Sequence, residues 1–154
     1  HSSVKERKML QHSNELLETR SSTSSKQMLS EFPEYTLDQT LKLFVAWSQL
    51  HPNQVLGIMT DRYEKAIRIQ GLFIMLLDEI PDWYLKCRAT HVTKQRIDFE
   101  NGSTVLFMNS PLHCKGRTLT SLAFDSSATF DDEALMYMIP SVSTTAKSLT
   151  RFTE

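Results

Sequence analysis

Between Gln54 and Thr60 the chain reads QVLGIMT, a short apolar run that follows the turn residues His51-Pro52-Asn53 and leads into Asp61-Arg62. A run this short, apolar without alternation, is the pattern of a strand covered on both faces, and such strands belong to parallel sheets layered between helices. Parallel strands need crossover helices, and the flanking sequence supplies them. Upstream, a helix is expected from Thr36, the N-cap, with Asp38 in its first turn and Leu37, Leu41, Phe44, Val45 and Ser48 on one face. Pro52 stops it. Downstream, a second helix is expected from Asp61 to about Ile80, with Tyr63, Ala66, Ile67, Ile74 and Leu77 on one stripe and Pro81 closing it.

The remaining signals fit the same frame. In RIDFENGSTVLFMN, Ile97 and Phe99 alternate with polar residues, Asn101-Gly102 supplies a turn with positive φ, and Val105 and Phe107 alternate again, which predicts an antiparallel hairpin. A loop through Ser110-Pro111 and Gly116 leads to TSLAFDSS, a strand that ends on Asp125. A helix from about Asp131 to Met138 and a last strand in SLTRFTE complete the order. The expected fold class is α/β, a mainly parallel sheet flanked by helices with an inserted β-hairpin.

At 154 residues the length suits one domain with one core. Residues 1–30 are expected to hold an N-terminal helix over Val4 to Leu17 and the Ser/Thr-rich loop ETRSSTSSK; residues 31–154 form the α/β domain. The net charge of −1 gives no basic footprint for nucleic acid. Cys87 and Cys114, and His12, His51, His91 and His113, show no metal-ligand spacing, and no Ser sits in a nucleophile elbow. The longest apolar run, Leu72 to Leu77, is far below the ~20 residues that cross a bilayer, so a soluble chain is expected. Trp47, Trp83 and Tyr84 fall at helix ends, where core or interface packing is expected rather than base stacking.

From Gln54 to Glu154 the order of features resembles the ATPase domain of phage terminase large subunits, the T4-like type most of all. The resemblance lies in VLGIM, a long helix ending in LLDEIPDWY, RIDFENGSTVLFMNSP, the loop LHCKGRTL and the acid-bearing strand TSLAFDSS. It implies a P-loop NTPase-like fold, a viral DNA-packaging role in the host cytoplasm, ATP and Mg²⁺ as cofactors, and other terminase subunits, the capsid portal or DNA as partners. It also implies that Asp125 matches the magnesium-binding Asp, and that Ser126 stands where a catalytic Glu orients the attacking water.

Other parts of such a site are degenerate here. A phosphate loop should follow a first strand near Lys26 to Ser30 and precede the helix at Thr36, but SEFPEYTLDQT holds no glycine and no lysine, and Glu31 and Glu34 would repel phosphate. In the alternative placement, TRSSTSSKQ, only Lys26 survives as a phosphate ligand; a solvated lysine is the competing reading. Lys115-Gly116-Arg117 matches a basic-Gly loop, so that Arg117 or Lys115 could contact phosphate in trans or simply be solvated. Asp131, Asp132 and Glu133 are expected to cap the helix that follows. RFTE falls where the family has a strand leading to a Thr-rich coupling motif, and no nuclease domain is expected in these residues. Three functions follow: a packaging-motor domain with a degraded or incomplete nucleotide site and no turnover of its own, a protein-interaction module that keeps the fold as a scaffold, or an ATPase completed by another subunit's phosphate loop.

Overall fold

The structure, a computed structural model, describes residues 30–84, 87–143 and 148–154. Seven strands form one sheet in the order β1-β7-β6-β2-β5-β4-β3. They are β1 (Glu34–Thr36), β2 (Val55–Met59), β3 (Ala89–Thr93), β4 (Arg96–Phe99), β5 (Thr104–Met108), β6 (Ser121–Asp125) and β7 (Ser148–Thr153). Helices α1 (Leu37–Leu50), α2 (Tyr63–Asp78) and α3 (Asp132–Ser143) cover it.

The run VLGIM forms the central strand β2, parallel to β5 on one side and to β6 on the other. Its alternate side chains enter opposite cores: Leu56 and Ile58 pack with α1 and α2, while Met59 packs with α3. Gly57 is required by close approach, because a Cβ there would lie 2.7 Å from Met108 Cε and 3.2 Å from Leu122 Cδ1. The same alternation in β6 sends Leu122 and Phe124 toward α3 and Ala123 toward α1 and α2. By that register Asp125, two residues after Ala123, also faces α1 and α2.

Helix α1 begins as its sequence predicts. Thr36 Oγ1 accepts from Gln39 N at 3.1 Å and Gln39 Oε1 accepts from Thr36 N at 3.0 Å, a complete capping box, and Leu37, Leu41, Phe44, Val45 and Ser48 are all buried. The hairpin β4–β5 is also present, with Gly102 at φ 84° in its turn.

Several expectations need correction. A strand at Glu34–Thr36, three exposed residues paired with β7, precedes α1; the first strand expected near Lys26 to Ser30 falls, but for Ser30, outside the described residues. Lys26 and the N-terminal helix expected over Val4 to Leu17 fall outside the described residues. Of the stripe expected in α2, Ala66 is buried, Ile74 and Leu77 pack partly buried against the core, Ile67 is half-buried and Tyr63 is exposed; Ile69, Gln70 and Phe73 complete the buried face. Its polar residues Glu64, Arg68 and Asp78, with Gly71, gather on the side opposite the buried face, and on that face Phe73 packs edge-on to Phe107 at 5.6 Å. The hairpin has a third strand, β3, antiparallel to β4 and exposed throughout. Helix α3 runs past Met138 and through Pro140, because Ile139 and Val142 continue its buried face.

Candidate functional site

Five parallel strands, β1, β7, β6, β2 and β5, point their C-terminal ends to one edge of the sheet, the edge at which open α/β sheets bind ligands. That edge carries Thr36 at the end of β1, Glu154 just after β7, Asp125 at the end of β6 and Thr60 just after β2. With β7 between them, β1 and β6 stand about 10 Å apart.

Asp125 is 2% exposed and fully engaged. Its Oδ2 lies 2.5 Å from Lys65 Nζ and accepts from Thr60 Oγ1 at 3.0 Å. Its Oδ1 accepts from Ser127 N at 3.0 Å and from Ser127 Oγ at 2.7 Å. Burial alone would raise the Asp125 pKa, but the Lys65 ammonium, the Ser127 hydroxyl and amide and the Thr60 hydroxyl together hold it below the ordinary carboxylate value. Lys65 mirrors it: burial pulls its pKa down, and Asp125 and Glu154 more than restore it. Glu154 Oε2 lies 3.4 Å from Lys65 Nζ, and Glu154 Oε1 also accepts from Arg68. The cluster thus ties α2 to the ends of β6 and β7.

The other half of the edge is the N-terminus of α1. The capping box satisfies the Thr36 and Gln39 amides, and Asp38 in the first turn pairs with Lys42 at 2.8 Å. A cavity of about 330 Å³ opens beside it, lined by Thr36, Asp38, Glu79 and Glu154 among apolar side chains of α1 and α2. Three carboxylates and no lysine or arginine line it. Thr40 Oγ1, in the same helix, is buried without a hydrogen-bond partner, but Thr40 is not among the cavity's lining residues.

These residues do not fit a magnesium triphosphate. A metal on Asp125 would have to displace Lys65, and a triphosphate at α1 would face carboxylates where backbone donors and a lysine are needed. Among the described residues no group of three or more His, Cys, Asp or Glu side chains is arranged to hold a metal ion.

The other sequence-derived residues lie apart from this cluster. Arg117 is exposed, with Nε donating to His113 O at 2.8 Å, in the loop that enters β6 at the end opposite Asp125; Lys115 is exposed in the same loop. Ser126 is half-buried, and its N–H donates to Phe152 O. Asp131 Oδ1 accepts from Ala134 N at 2.8 Å, the expected cap at the start of α3. Trp83 and Tyr84 are 84% and 63% exposed, which excludes core packing and leaves the other half of the expectation, interface packing. Cys87 and Cys114 are free and buried, and burial pushes the Cys114 thiol up to about 11, so it is no nucleophile.

Lys65 is the site residue that the sequence reading missed. A signal was present, since a lysine in the first turn of a helix opposes the macrodipole, and such a residue needs a carboxylate nearby.

No protein-family model and no curated protein matches the chain. Among solved structures it is similar to the large terminase from the thermophilic bacteriophage D6E, solved in complex with ADP. The two share 16% identity at a TM-score of 0.52, over 91% of this chain and 37% of that one. The chain therefore spans little more than a third of that terminase, and at this identity the likeness is one of fold. No helix among the described residues is long and apolar enough to cross a membrane. The seven-stranded, mostly parallel sheet with helices on both faces is a P-loop NTPase-like, terminase-like α/β fold.

Proposed function

We propose that this chain is a terminase ATPase-like domain of the T4-like type that serves viral DNA packaging or assembly in the host cytoplasm without hydrolysing ATP itself. Its role is structural or regulatory within a motor, with other terminase subunits or the capsid portal as partners, and residues 31–154 act as the working α/β unit. One observation carries the reading: the carboxylate that would hold a metal at this edge is already paired with the protein's own lysine. Lys65 neutralises Asp125, the capping box takes the Thr36 and Gln39 amides, and carboxylates line the cavity beside α1.

Calorimetric titration with ATP and Mg²⁺ tests it. The expected result is no heat of binding in the micromolar range, and micromolar binding that disappears in Asp125→Ala would sink the degraded-site reading. ATPase activity that rises steeply with protein concentration would point instead to a phosphate loop supplied by a neighbouring subunit.

A second reading, a protein-interaction module that keeps the fold as a scaffold, is favoured by one feature. Trp83 and Tyr84, ring centroids 5.6 Å apart, stand exposed beside a groove of about 490 Å³ walled by Val45, Leu50, Leu76, Ile80 and Pro81. A stable complex with a terminase subunit or portal in size-exclusion chromatography, lost in Trp83→Ala, would support it, and an unchanged elution would not.

A further inference from the structure

Lys65 sits in an unusual place for a lysine. It is the third residue of α2, where the helix dipole is positive, and Arg62 at the N-cap makes no side-chain cap. Helix chemistry alone would favour an acid here. Yet the side chain is only 18% exposed, and its ammonium contacts oxygens from three separate parts of the chain. Asp125 Oδ2 of β6 lies at 2.5 Å, Ser127 Oγ of the following loop at 3.3 Å and Glu154 Oε2 beyond β7 at 3.4 Å. Carboxylates and hydroxyls at those positions are the donor types of a small, hard cation. The ammonium also supplies what the buried Asp125 cannot do without, a compensating positive charge.

We propose that Lys65 is the resident cation of this cleft, taking the place on Asp125 that the terminase resemblance assigns to a magnesium ion. The carboxylate then works as a fastener between β6 and α2, and the charge balance of the sheet edge no longer depends on a metal. The proposal rests on the reading of this edge as the metal side of a nucleotide cleft, and it makes a demand that a chance surface lysine does not. Removal of the ammonium must leave a buried carboxylate, flanked by Ser127, Thr60 and Glu154, in need of a cation.

The test uses Mn²⁺ alone, with no nucleotide, on the wild-type chain, Lys65→Met and the double variant Lys65→Met/Asp125→Asn. The free-ion electron paramagnetic resonance signal reports binding, and thermal unfolding reports stability. The wild-type chain is expected to leave millimolar Mn²⁺ free. Lys65→Met should bind a single Mn²⁺ and unfold about 10 °C lower, with part of that loss recovered by the metal. The double variant, which removes both charges, should bind none and regain most of the lost temperature.

Asp125-dependent Mn²⁺ binding by the wild-type chain would overturn the proposal. So would a Lys65→Met chain that ignores Mn²⁺, whatever its stability. If Lys65→Met does not fold, the double variant decides: its folding supports the charge pairing, and its failure to fold overturns it. A wild-type chain that bound ATP while leaving Mn²⁺ free would sink the functional reading and leave this one standing.

Discussion

At the start of α1 the chain satisfies its own polar groups with neutral, exposed hydrogen bonds; two strands away, at the end of β6, it does so with a buried ion pair. Both lie on the edge where a ligand of this fold would bind, and both engage groups that a ligand would otherwise take. The energetic weights differ. A cap is worth about 1 kcal/mol and its atoms reach water when it is broken. A buried carboxylate stripped of its partner has no such recourse, so the two closures should respond very differently to mutation, pH and salt.

The largest effect is expected at β6. Lys65→Ala should cost about 3 kcal/mol in urea unfolding, and a double-mutant cycle with Asp125→Asn should return most of it as coupling energy. A loss below about 1 kcal/mol would place the pair with ordinary surface salt bridges.

pH separates the two regions next. The folded-state pKa of Asp125 is lowered, so its stabilisation is full above the unfolded value of about 3.9 and fades as pH falls through the folded one. Lys65 is raised, so its share is full below about 10.4 and is lost as pH rises through the folded value. The Lys65→Ala deficit should therefore hold between about pH 5 and 9 and shrink in stronger acid. Thr36→Ala, at a cap with no titrating group, should cost about 1 kcal/mol at pH 7 and the same at pH 4. Unfolding curves at those pH values decide between a charged and a neutral closure at each end.

The smallest effect belongs to the outer arm of the β6 cluster. Arg68 and Glu154 are about half exposed, so Arg68→Ala should cost about 0.5 kcal/mol or less, vanishing at 1 M salt. A salt-insensitive loss would mean that the arm is as dry as the inner pair.

How much of this the sequence disclosed follows from what each residue buries. The α1 cap was legible because a Thr–Gln capping box is a local pattern, and β2 and β6 because strands buried on both faces are apolar without a break. Gly102 was legible because its turn requires positive φ. Strands β1 and β3 left no pattern, since edge strands with every residue exposed carry no alternation to read. In α2 the expected stripe was displaced around the helix from the buried Ile69, Gln70 and Phe73, although its polar residues lie on the opposite side. Asp125 could be placed at a strand end, but its partner is 60 residues earlier and depends on β2 lying beside β6, which is tertiary information.

Whether the protein's own lysine holds the metal position is decided by a crystal structure grown in the presence of Mg²⁺ and a non-hydrolysable ATP analogue. Lys65 Nζ is expected to stay within hydrogen-bonding distance of Asp125, with the Thr36–Gln39 capping box intact and no nucleotide density at the sheet edge. A metal on Asp125 with Lys65 turned away, and phosphates at the start of α1, would contradict it.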